Sequence, residues 1–180
     1  MAIRMMSPLP ARLIAVLQDY LPAELDLIDA EEGDFVMPDI QNANYHEWDR
    51  KLLPAFPACT IRPVSSRPNA NDVREIFPDL HGRRASVRNR LDVMFHVHSG
   101  QSDGNPLMLQ DLLFRYVTAA MRVLCIMHWE LGTVADPTAF VKTTTWVGEA
   151  TYGPEAEQET GAIVRTGTLP LEVWTIEARG

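Results

Sequence analysis

Residues 84 to 127 place the tightest limit on what this chain can fold into. Arg84-Ala-Ser-Val-Arg-Asn-Arg-Leu-Asp-Val-Met-Phe-His-Val-His98 is one long half-polar strand, with Leu91, Val93, Phe95 and Val97 on one side and Asp92, Met94, His96 and His98 on the other. A period of two marks a sheet with one face in a core. The turn cluster Gly100-Gln-Ser-Asp-Gly-Asn-Pro106 follows, with Asn105 placed to cap a helix and Pro106 at its first residue, where a missing N–H costs nothing. Leu109, Leu112, Leu113, Tyr116, Ala120, Val123, Leu124 and Met127 then recur at steps of three and four over about six turns. So wide an apolar stripe must lie on a sheet. Gly132 is placed to close the helix.

The rest of the chain supplies partners for that pair. Leu13, Leu17, Tyr20 and Leu21 predict a first helix after Ser7-Pro8-Leu9-Pro10, ended or kinked at Pro22. From Glu24 to Asp34 six acidic residues occur with no Lys or Arg among them, the composition of a solvated loop. They lack the alternating Asp pattern of a calcium loop. Residues 35 to 56 show no sustained period and are expected to be an ordered loop or short helix whose Tyr45 and Trp48 pack on a neighbour. Ala58 to Ser66 is a strand that Pro63 confines to an edge or a bulge. Residues 67 to 83 form a long connection. Two β-branched and aromatic strands follow, Ala139 to Ala150 and Ile163 to Ala178, with residues 151 to 161 as a protruding polar hairpin loop. The expected fold is a single α+β domain over residues 1 to 180, a mostly antiparallel sheet with helices on one face in the order α-β-β-α-β-β, with long loops at about 24–56, 67–83 and 151–161.

Composition removes several function classes. The chain is 180 residues long with a net charge of −8, so its field opposes general binding to nucleic acid or anionic membrane. No run approaches a membrane span, and the first residues lack the apolar core of a secretory signal. Cys59 and Cys125 each sit in an apolar run and read as two buried free thiols.

The search for chemistry returns little. There is no nucleophile elbow, phosphate loop or dinucleotide fingerprint. Asp92, His96 and His98 share one strand face and could begin a two-His-one-carboxylate metal site, which keeps a small metal-dependent hydrolase as the contrasting hypothesis; without a third ligand at a characteristic spacing they more simply decorate a surface. His128-Trp-Glu130 lacks the second histidine of a zinc helix and fits the polar end of a helix. The expectation is therefore no enzyme, no cofactor and no metal.

One feature runs against the net charge. Arg74, His81, Arg83, Arg84, Arg88 and Arg90 crowd together in an acidic chain. They suit a solvated strand face, pairing with carboxylates of a neighbouring subunit such as those of 24–34 or 155–159, or contact with DNA phosphates. Arg74, Arg83, Arg84, Arg88 and Arg90 are the candidate interface residues.

Ala55-Phe-Pro-Ala-Cys-Thr-Ile-Arg-Pro63, the Arg-rich strand 84 to 98, the polar turn, the helix with Leu112-Leu-Phe-Arg-Tyr116 and two closing strands together resemble neck and tail-completion proteins of tailed bacteriophages. Order and length are similar to those of tail terminator proteins of long-tailed phages. The resemblance covers roughly residues 9 to 178 and implies a virion protein assembled in the host cytoplasm. It implies a homo-oligomeric ring, typically of six copies, that caps the tail tube protein and meets the head-completion or connector proteins. Genomic DNA would pass through its lumen without sequence-specific binding, and no cofactor is needed. Residues 26–56 and 67–83 are longer than the minimal connections of that family, so a head-completion or stopper component of the same neck stays open.

Overall fold

The computed structural model describes residues 9–33, 36–47, 53–69, 84–101, 106–127, 145–153, 156–157 and 163–178. They form α1 (Leu9–Glu32), β1 (Tyr45–Glu47), β2 (Ala58–Asn69), β3 (Arg84–His98), α2 (Pro106–Met127), β4 (Thr145–Val147), β5 (Thr151–Tyr152), β6 (Ala156–Glu157) and β7 (Ile163–Ala178). The class is α+β. The strands join in one sheet of order β1-β2-β3-β7-β4, with β5 and β6 also lying along β7.

The sheet is mixed. β1 runs parallel to β2, with Tyr45 opposite Cys59 and Glu47 opposite Ile61, whereas the other pairings are antiparallel. The sequence reading missed β1 because three residues are too short to show a period. The loop or short helix expected over 35–56 is otherwise met, since a 3-10 turn at Asn42–Asn44 leads into β1. Tyr45 is buried, as expected; Trp48 lies outside the described residues.

The largest correction concerns α1. It continues through Pro22 to Glu32, over the acidic run read as a loop. Leu21, Leu25 and Ile28 keep the helical spacing of Leu13 and Leu17 and are all buried, so tertiary burial outweighs the lost backbone donor at Pro22. Asp26, Glu31 and Glu32 are exposed, whereas Asp29 turns inward and accepts the Met37 N–H at 2.7 Å. Gly33, at φ 69°, ends the helix by donating its N–H to the Asp29 carbonyl at 2.9 Å, the left-handed cap that glycine adopts without strain.

Three long strands carry the sheet. β3 pairs with β2 from His96 to Ser86 and with β7 along its whole length, from Arg84 opposite Ala178 to His98 opposite Val164. The β2 register shifts between Pro63 and Ser65, so the proline does mark a bulge. β2 extends to Asn69, beyond the expected Ser66, and the 67–83 connection is correspondingly shorter. The interior of the segment 151–161 is likewise partly sheet, since Thr151 and Tyr152 pair with Thr168 and Gly167, and Ala156 and Glu157 with Val164 and Ile163. Of the strand expected over 139–150, residues 145–147 are strand and 148–150 are not; the remainder, with Gly132, the His128-to-Glu130 triplet and the Asn105 cap, lies outside the described residues.

Both helices lie on one face. α1 packs on β1 and β2, α2 packs on β3 and β7, and the two helices touch each other. Leu91, Val93, Phe95 and Val97 are buried beneath them, as the period of two requires. Tyr116 of α2 stacks on Phe95 with centroids 6.0 Å apart and donates its hydroxyl to the Pro38 carbonyl, tying the 36–40 segment to the core. At Gly167 a Cβ would stand 3.0 Å from both Leu113 Cγ and Val117 Cγ2, so glycine is what lets α2 sit this close to β7. Cys59 is buried as expected, but Cys125 is exposed on the outer side of α2.

Candidate functional site

The alternation that buries one face of β3 aims its even-numbered residues at the opposite face of the sheet. There the side chains engage one another across the strands. Arg62 of β2 pairs with Asp92 at 2.6 Å, and Arg88 pairs with Glu172 of β7. His96 lies between two hydroxyls, with Nε2 2.9 Å from Thr60 Oγ1 and Nδ1 2.9 Å from Thr166 Oγ1. His98 stacks on Phe56 at 5.2 Å and accepts the Gly100 N–H at 3.0 Å through Nδ1.

Asp92, His96 and His98 are therefore on one face but not in one place. Residues four apart on a strand are separated by roughly 13 Å, too far for Asp92 and His96 to bind one ion. Among the described residues no group of three His, Cys, Asp or Glu side chains stands close enough to hold a metal. His46 joins this outer surface opposite Thr60 and is buried, as are Met94 and His96. Nothing in the sequence around His46 signals this, because its strand is so short.

The arginine cluster divides. Arg88 and Arg90 are exposed on the outer face. Arg84 belongs to the β3 backbone; its side chain, and the whole of Arg74 and Arg83, lie outside what is described. The Glu172 carboxylate holds the Arg88 guanidinium above its ordinary pKa by a direct hydrogen bond, so Arg88 already has a partner within its own chain. The three-stranded ladder continues past the last described core residue of β3: from Asn89 back to Ser86 it keeps β2 on one side and β7 on the other, and to Arg84 it keeps β7. That stretch of strand is roughly 17 Å long.

A second feature occupies the helix layer. The end of α1 and the middle of α2 enclose an open groove of about 340 Å³ lined by Ile28, Glu31, Glu32, Asp111, Phe114, Arg115, Thr118 and Arg122. Arg122 pairs with Glu31 at 2.9 Å, and the nearly buried Arg115 lies 3.8 Å from Asp29. The Arg122 hydrogen bond lowers the Glu31 pKa. Phe114, partly exposed, meets Tyr152 of β5 edge to face at 4.4 Å. Sequence reasoning missed the groove because its walls are some 80 residues apart and its acidic wall was taken for a loop.

No protein family profile matches the chain, and no curated protein is found to be related to it. What the surfaces offer is contact chemistry: ion pairs, an exposed aromatic pair and exposed arginines on β3.

Proposed function

We propose that this chain is a tail terminator of a long-tailed bacteriophage, a structural virion protein whose copies close into a ring, typically of six, between the tail tube and the head connector. What supports the reading is the pairing of β3 with β7 along the whole length of a 15-residue strand, together with the motifs that resemble that family. Long paired strands suit a subunit that reaches onto its neighbour, and contacts of this heterologous kind close into rings by rotation. The net charge of −8 is compatible with DNA passing a lumen without adhering to it. On the outer face the exposed guanidinium groups of Arg62 and Arg88, each paired with a carboxylate of its own chain, give the subunit a polar patch arranged in advance.

Light scattering and electron micrographs of the purified chain test this reading. The expected particle is a ring of several copies with an axial hole. A chain that remains monomeric at high concentration, with or without tube protein, overturns it.

A further inference from the structure

Resting on the ring reading, we infer that the groove between α1 and α2 is the receptor for the outer face of β3 in a second copy of this chain, with Arg90 as the inserted side chain. The first argument is charge. Asp29, Glu31, Glu32 and Asp111 stand in or behind the groove with Arg115 and Arg122, four carboxylates to two guanidinium groups among the described residues. The groove is therefore net negative and takes a cation. The second is shape and chemistry. Phe114, braced edge-on by Tyr152, offers an aromatic wall beside those carboxylates. A planar guanidinium stacks on an aromatic face while its N–H fork reaches carboxylates, which a lysine ammonium does less well.

The third argument is the source of that cation. Arg90 is exposed on the outer face of β3, between the buried Asn89 and Leu91, in an otherwise acidic molecule. It cannot reach the groove of its own chain. Arg90 belongs to the sheet face opposite the helices, because it alternates with Leu91 and Val93, which are buried beneath them. The groove lies in the helix layer, where α2 at Leu113 and Val117 crosses Gly167, whose strand partner is Phe95. Arg90 is five residues from Phe95, roughly 17 Å along the strand and on the other side of the sheet. Donor and receptor occupy opposite faces of the sheet, so their pairing is head to tail between copies. That is the geometry from which a ring is built.

The test is a charge swap. Arg90→Glu and Asp111→Arg, each alone and then together, are compared with the unaltered chain by sedimentation velocity over a concentration series. Circular dichroism checks that each variant is folded. Either reversal alone is expected to raise the concentration for half-assembly by about tenfold or more, and the double reversal to bring it back to within about threefold. The neutral pair Arg90→Gln and Asp111→Asn, expected to show a smaller loss, serves if a reversal fails to fold. Single variants that assemble like the parent, or a double variant no better than the worse single one, overturn the groove assignment while the parent's ring still supports the assembly reading. A parent chain that never assembles overturns both.

Discussion

The two faces of β3 are made by one run of residues and are stabilised in different ways. On the inner face Leu91, Val93, Phe95 and Val97 are covered by helices, and the gain there is apolar area removed from water. On the outer face Asp92, His96 and His98 are each held by a specific partner from another strand or the adjoining turn. The difference teaches that alternation assigns side chains to a face but does not say what occupies it. Met94 and His96 were expected on a polar outer side, and both are buried.

The sharpest test of the contrast is Phe95→Ala. The ring is fully buried and stacked on Tyr116, so its removal leaves a cavity and is expected to cost about 3–5 kcal/mol in urea unfolding. His96→Ala, on the other face of the same strand, is expected to cost about 1–3 kcal/mol, because it strands the hydroxyls of Thr60 and Thr166. His96→Gln, which can keep one of those bonds, should recover part of the loss. If the His96 change proves as costly as the Phe95 change, the outer face is a second core and the contrast fails.

Alkaline pH probes the inner face. Burial pushes the Cys59 thiol pKa up, and burial followed by the Asp39 carboxylate pushes up that of Tyr116. For Tyr45 burial acts first, then the neighbouring Cys59 and Asp39. The folded state therefore holds protons that the unfolded chain releases above about pH 8.5 for a thiol and about 10 for a phenol. Stability is whole below those values and falls as pH rises through them. By pH 10 the thiol alone should remove up to about 2 kcal/mol, and Cys59→Val should abolish that slope. Denaturant midpoints at pH 8, 9 and 10 measure it; a flat profile would remove Cys59 from the sealed interior.

What was legible in the sequence follows the same division. β3, β7 and α2 declared themselves because their periods run for 15, 16 and 22 residues. The bulge at Pro63 was legible from the chemistry of a missing donor. The second half of α1 was not, because six acidic residues hid the spacing of Leu21, Leu25 and Ile28, although Gly33 stood at the right place to end a helix. β1 is too short to read, and its parallel pairing joins segments whose order alone does not specify direction. The candidate interface was half legible: Arg88 and Arg90 lie close together in sequence on β3, whereas the groove exists only once α1 and α2 come together.

The smallest expected effect belongs to the ion pair that replaces the supposed metal ligand. Arg62 approaches Asp92 at 2.6 Å, but its side chain is 44 % exposed, so water and salt screen most of the attraction. Arg62→Ala should cost only about 0–1 kcal/mol, fading further as ionic strength rises. If Asp92 had instead been one arm of a metal site, Asp92→Asn would change the melting temperature in a metal-dependent way and Arg62→Ala would free a ligand. With the ion pair as its role, Asp92→Asn and Arg62→Ala should lose the same small amount, the double variant no more than either alone, and chelator should shift none of the melting curves.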